Sequence, residues 1–302
     1  VSALGLAGEQ ARADVFAGRG ELPGRPRLLS YVGRWGRARR WLPADAKRVL
    51  DVGCAWGYGS VAIAARAPRD RTIVGVERDP DLLARAREAF PGLPMIDADA
   101  ADLPLPDSSV DALLLLDVIE HLDRPGSVLE EAHRVLRPGG VLVVSVPHRG
   151  PTRWLDALNV YAELRRRRPS WPPLEAGVVA TEGEHHRHFA AAELRSMLEP
   201  GFAVERIART GVGLQELVHL AIIALRVPLR APRLARALMP AHFFAYVLDD
   251  MLPTGPLGYH LAVRARSNKQ DGAPEGVSAE ASGEATAARA EEGPEEIERN
   301  WS

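Results

Sequence analysis

The run Val49-Leu50-Asp51-Val52-Gly53-Cys54-Ala55-Trp56-Gly57-Tyr58-Gly59-Ser60 decides how the chain is read. Four residues of strand character end on an acid and a valine. A glycine-rich turn follows, and from Ser60 to Arg66 the pattern turns helical. Gly53 and Gly57 permit a tight turn and let a ligand approach the backbone. Asp51 stands in an apolar strand, where an unpartnered carboxylate is costly. A cationic ligand, or one with several donors, would supply the partner.

Downstream the chain alternates short apolar runs with helical ones. Strands are expected at Val49–Val52, Thr72–Glu77, Met95–Ala98, Val110–Asp117 and Gly140–Val146, and later at Phe202–Ala208 and Tyr259–Arg264. Helices are expected at Ser60–Arg66, Asp81–Phe90 and Ser127–Leu136. Asp79-Pro80 supplies an N-cap and first-turn proline, and Pro138-Gly139-Gly140 stops the third helix and opens a strand. Nearly all-apolar strands between helices mean an α/β fold, a doubly wound, Rossmann-like, mostly parallel sheet covered on both faces. Such sheets bind ligands beyond the carboxyl ends of their strands, where the strand order reverses.

Acids gather at those ends. The second strand closes on Glu77, able to accept from two ribose hydroxyls. The third leads into Asp97-Ala98-Asp99-Ala100, and the fourth into Asp117-Val118-Ile119-Glu120-His121. A dinucleotide site is the competing reading, because Gly57-x-Gly59-x-x-Ala62 fits a relaxed glycine fingerprint. It starts five residues after the strand, and the strand's acid would repel a pyrophosphate.

In motif order and spacing, the span from Arg48 to Val146 resembles the class I S-adenosylmethionine-dependent methyltransferases. It is most similar to the small-molecule branch containing the quinone-biosynthesis enzymes, with a weaker likeness through His188–Gly201. The resemblance implies seven strands, the last antiparallel, and S-adenosylmethionine as cofactor. It implies that Asp51, Gly53 and Gly57 hold the amino-acid moiety, with Cys54 in the same turn. Glu77 would bind the ribose, with Arg78 beside it. Asp99 and Ala100 would meet the adenine, and Asp117 and His121 would lie near the sulfonium. Ala55 stands where the family usually has its middle glycine.

The acceptor is less defined. A hydroxyl acceptor benefits from a base titrating near neutrality, which suits histidine. His121 and His148 follow the fourth and fifth strands, and His185, His186 and His188 precede a helix in a segment resembling a substrate-closing pattern of the family. Of these His121, His148 and His188 are taken as catalytic candidates. Glu184 and His186-x-His188 lack a further ligand at metal spacing, so no metal site is expected. The sequence has no Pro-Pro-aromatic run after the fourth strand, as enzymes acting on amide or adenine nitrogen carry. Its single cysteine, in the first turn, excludes cytosine-type and radical chemistry, and with it a disulfide framework. Nucleic acid is therefore not expected as a partner, and Arg165–Arg168 reads as a solvated helix face. The function expected is methyl transfer to a small or lipid-like acceptor, at oxygen. An NAD(P)-dependent oxidoreductase and a membrane-docked, non-catalytic adaptor are the alternatives.

The 302 residues carry a formal net charge of -2, but residues 267–302 hold nine acids against three bases. A tail of -6 thus follows a body of +4. The organisation expected is an N-terminal helical cap (1–44), with Leu28, Val32 and Trp35 on its apolar face and Arg34, Arg37 and Arg40 off it. A cofactor-binding core (45–148), an insertion or lid (149–188) and the rest of the fold with a basic, apolar helical layer (189–266) follow. The acidic tail (267–302) is too poor in apolar residues to order itself. Within the layer, Leu214, Leu217, Val218, Ala221 and Leu225 form a stripe, followed by Arg226, Arg230, Arg233 and Arg236. This stretch (212–250) could contact a membrane, pack over the site or form a homodimer contact. Without a signal-peptide pattern or a 20-residue apolar run, a reducing cytoplasm is expected, with the inner membrane face as a further option.

Overall fold

The computed structural model describes residues 33–65, 67–172 and 186–270. Leu28, Val32, Arg66, Glu184, His185 and the acidic residues from Asp271 onward lie outside the described residues. One sheet organises the rest, in the order β3-β2-β1-β4-β5-β7-β6. The strands are β1 (Arg48–Val52), β2 (Thr72–Glu77), β3 (Met95–Asp97), β4 (Val110–Leu116), β5 (Leu136–Pro147), β6 (Phe202–Thr210) and β7 (His260–Ser267). Strand β7 runs antiparallel to both β5 and β6. All seven expected strands are present, and the last is the antiparallel one.

The apolar strands split their side chains by parity, as a pleat requires. Leu50, Leu113, Leu115, Leu142 and Val144 enter one layer, with residues of α4 (Pro125–Val135) and α6 (Ala191–Leu198). Val49, Ala112, Leu114, Val141 and Val143 enter the other, with α1 (Gly33–Trp41) and α2 (Tyr58–Ala64). Helix α3 (Pro80–Ala89) starts where Asp79 accepts from the amides of Asp81 and Leu82.

Two expectations for β5 and the N-terminal cap are corrected. Helix α4 gives way to strand at Leu136, ahead of Gly140. Leu136 pairs with Val110, whereas Val141 pairs with Ala112, so residues 137–140 form an irregular excursion within β5. The Pro-Gly-Gly run bulges a strand that has already begun. Arg37, which lies off the apolar face of the cap, is nonetheless not at the surface. It is buried, and its guanidinium reaches Asp250 Oδ1 at 2.8 Å, the Asp250 carbonyl at 3.0 Å and Thr210 Oγ1 at 3.3 Å.

The insertion contains α5 (Ala157–Arg167), and residues 212–258 form α7 (Leu214–Arg226), α8 (Pro232–Ala237) and α9 (Met239–Met251). Helix α7 is rotated from the expected stripe. It buries Glu216, His219, Ile222 and Ile223, while Leu217 and Ala221 face outward. The inward face carries polar residues because it meets a polar chamber beyond the sheet.

Candidate active site

Strand order reverses between β1 and β4, and a cavity of about 200 Å³ opens there. Its walls include Gly53, Ala55, Glu77, Arg78, Asp99, Ala100, Asp117 and His121, all expected from the sequence. Asp51, Cys54 and Gly57 are not among its lining residues. Cys54 is buried, and burial pushes its thiol far above its ordinary range. Val76 of β2, Leu82 of α3, and Ala98 and Val118 just beyond β3 and β4 complete the wall.

The first turn owes its shape to left-handed backbone at Gly53 (φ 72°), Ala55 (φ 47°) and Gly57 (φ 75°). Alanine tolerates this at a cost of about 1 kcal/mol. The Ala55 amide donates to Glu77 Oε2 at 2.9 Å, which helps hold the turn against β2. At Gly53 a side chain would not fit, because a Cβ would meet Val118 Cγ2 at 2.6 Å. Gly53→Ala should therefore lose about 1–3 kcal/mol of stability through strain and overpacking, which a urea titration reads.

Glu77 accepts from three backbone amides, those of Ala55, Arg78 and Asp79, each at 2.9 Å. Beyond it Asp99 accepts from the Ala101 amide and from Arg78 Nη1 at 3.2 Å. The backbone amide, against some desolvation and with help from Arg78, holds the Asp99 carboxyl below its usual range. Asp117 also adopts left-handed backbone (φ 57°). It accepts from Ser145 Oγ at 2.6 Å and forms an ion pair with Arg34 of α1. Asp51 is buried, accepts from Ser60 Oγ at 2.5 Å, and is pushed up by burial to about 6.

On the far side of His121 lies the polar chamber. His121 contacts His186 edge-on, with ring centroids 4.7 Å apart. His186 Nδ1 and His188 Nε2 each lie 3.3 Å from Asp156 Oδ2. Glu216 accepts from the Ala157 amide at 2.9 Å and is raised by burial to about 7. Glu120 is buried, with Oε2 unpartnered, and is raised by burial to about 8. His148, by contrast, is pinned with Nδ1 2.7 Å from the Gly258 carbonyl and does not line the cavity. Sequence reading missed Arg34, Asp156 and Glu216. Asp156 has a helix-capping signature, but nothing in it announces two histidines converging from 30 and 32 residues downstream.

Residues 50–144 match the methyltransferase domain family described as Methyltransf_11. A probable S-adenosylmethionine-dependent methyltransferase of Mycolicibacterium smegmatis is 37% identical over 175 residues, 56% of this chain and 58% of that protein. A fatty-acid O-methyltransferase of the same species is 40% identical over 98 residues, 32% of this chain and 35% of that protein. The chain thus spans less than two thirds of the length of these relatives. Among solved structures, an S-adenosylmethionine-dependent methyltransferase from Thermotoga maritima aligns with a TM-score of 0.51 at 19% identity, covering 80% of this chain and 92% of that one. That likeness shows the fold. These similarities favour the methyltransferase reading over the oxidoreductase and adaptor alternatives. Over residues 50–144 the chain carries a methyltransferase domain, and the relatives similar to it include S-adenosylmethionine-dependent methyltransferases.

Proposed function

We propose that the protein transfers the methyl group of S-adenosylmethionine to an oxygen of a small or amphipathic acceptor. The observation that carries this is one cavity at the strand-order reversal with carboxylates at its edges and apolar residues between them. The donor set suits a nucleoside with a cationic end. Glu77 would accept from the ribose hydroxyls, and Asp99 with Ala100 would meet the adenine. Gly53 and Ala55 would face the amino-acid portion, and Asp117 its cationic end. Asp51 would act from behind the turn, through its charge. When bound, S-adenosylmethionine supplies an electrophilic methyl on a sulfonium, and the chain positions it and excludes water. Oxygen as the acceptor atom, though not a fatty acid as the acceptor, draws support from the fatty-acid O-methyltransferase relative. Calorimetry with S-adenosylmethionine and S-adenosylhomocysteine tests the reading, and absence of binding to either removes it.

A pH dependence follows from Asp51. Its folded-state value of about 6 is above the ordinary 3.8, so the buried carboxyl protonates as pH falls through 6. A cationic ligand favours the ionised form. Affinity for S-adenosylmethionine should hold above pH 7 and fall toward about tenfold per pH unit below 6. Calorimetric Kd values between pH 5 and 8 check this. In Asp51→Asn the slope should vanish.

A second observation concerns access. Leu229, Leu234 and Phe244 are at least 60% exposed, on the helical layer that also exposes Arg230, Arg233 and Arg236. This supports a peripheral contact with an anionic bilayer, from which an amphipathic acceptor would be drawn. Among the described residues no helix is long and apolar enough to cross a membrane. Arg230→Glu with Arg233→Glu should abolish co-sedimentation with phosphatidylglycerol vesicles while leaving S-adenosylmethionine binding intact. Unchanged co-sedimentation removes this contact.

A further inference from the structure

Outside the cofactor cavity, no carboxylate in the chamber is more engaged than Asp156. It is 1% exposed at the head of α5. Its Oδ1 accepts from the Leu158 and Asn159 amides at 3.1 and 2.9 Å. Its Oδ2 faces His186 Nδ1 and His188 Nε2. The Asn159 side chain then grips the backbone of His186 from both sides, accepting from its amide at 2.7 Å and donating to its carbonyl at 3.0 Å. The ring of His186 is thus held at Nδ1 by a buried carboxylate and lies against His121, which lines the cavity. An imidazole that donates Nδ1–H to a carboxylate carries its lone pair on Nε2.

The geometry points to His186 as the base that takes the proton of a neutral hydroxyl acceptor, with Asp156 as its positioning residue. This rests on the methyl-transfer reading above. The neighbouring histidines are less suited. Burial, and after it the nearby His186, lower His121 to about 4, leaving it a weak base. His188 is hydrogen-bonded to the backbone of His186 and directs its other nitrogen at Asp156. His148 is held at Nδ1 by the neutral Gly258 carbonyl and has no carboxylate there to stabilise an imidazolium. The acceptor class follows from the need for a base. Asp156 is the ionised acid here, since burial raises Glu216 to about 7 and Glu120 to about 8. A carboxylate acceptor would need no base. A phenol or alcohol needs one and brings no charge.

In the step so assigned, the O–H proton passes to His186 Nε2 and the oxygen lone pair forms the new O–C bond. The C–S bond of the sulfonium breaks and leaves its electron pair on sulfur. A methyl ether, neutral S-adenosylhomocysteine and an imidazolium beside Asp156 result. The imidazolium then returns its proton to water.

The test uses S-adenosylmethionine labelled in its methyl group and a total extract of the source organism. Label in the product should survive alkali, which frees methyl esters as methanol. It should be released as methyl iodide by hydriodic acid, which cleaves ethers. His186→Ala and His186→Gln should each lower the initial rate about 100-fold or more, with the Kd for S-adenosylmethionine within twofold of the parent. Asp156→Asn should lower kcat about tenfold or more with the Kd for S-adenosylmethionine within twofold of the parent, and Asp156→Glu, which keeps the carboxylate, should restore part of it. A merely structural Asp156 would show no such rescue by the conservative variant. The assignment is overturned by alkali-labile label, by label resistant to both reagents, by His186 variants keeping more than a third of the rate, or by cofactor binding with no labelled product. Absence of cofactor binding would instead overturn the methyl-transfer reading, and the base with it.

Discussion

Glu77→Ala should weaken S-adenosylmethionine binding by about 10- to 150-fold, the equivalent of a lost charged hydrogen-bonding group worth roughly 1.5–3 kcal/mol. The carboxylate has two tasks. It would face the ribose, and it already organises the backbone by accepting from the amides of Ala55, Arg78 and Asp79. Alanine strands all three donors at once, so the turn holding Ala55 in its left-handed conformation loses its anchor on β2. Glu77→Gln separates the tasks. The amide keeps an acceptor oxygen for one side of the turn but offers N–H groups where the other amides point. Its loss in affinity should lie between those of the parent and Glu77→Ala. Calorimetry with S-adenosylhomocysteine reads both variants. Affinity unchanged in Glu77→Ala would remove this residue from the cofactor site.

Arg37→Ala should cost about 3–5 kcal/mol of folding stability, because it leaves Asp250 as an unpaired buried acid. Burial raises the Asp250 carboxyl, and Arg37 is the largest influence opposing that rise. The guanidinium also holds the Thr210 hydroxyl and the Asp250 carbonyl, so one side chain joins α1, α9 and the end of β6. A urea titration should show a lower midpoint with an unchanged slope. Arg37→Met combined with Asp250→Leu should recover much of the loss, since apolar side chains of similar size remove both desolvation penalties. If the double variant is no more stable than Arg37→Ala, the loss comes from packing and not from the stranded charge.

These two residues mark how far sequence reading reaches. The place of Glu77 at the cavity was legible because it closes a nearly apolar strand where doubly wound sheets hold ligands. The strands themselves were legible because burial on both faces leaves them almost no polar residue, as in Ala112–Leu116. Arg37 was not legible, because its pairing depends on Asp250, 213 residues away. The chamber was missed for a related reason. Its parts come from the turn after β4, the head of α5, the segment before α6 and the inner face of α7. No local periodicity marks Glu216 and His219 as inward-facing, since their surroundings become polar only once Asp156 and His186 are in place. The excursion at residues 137–140 was misread because Pro-Gly-Gly is a turn signal, and only the pairing of Leu136 with Val110 reveals a strand already under way.

The sheet's last described strand is not at its edge. Because β7 lies between β5 and β6, the chain must reach Ser267 before β6 has any neighbour in the sheet. During synthesis the first five strands can assemble in order, while β5 presents an open flank and β6 waits without a partner. Until β7 arrives, that flank is a place where another nascent chain could pair. Final assembly is therefore an act of insertion, late and long-range, and its rate should set how long the newborn protein is vulnerable to aggregation.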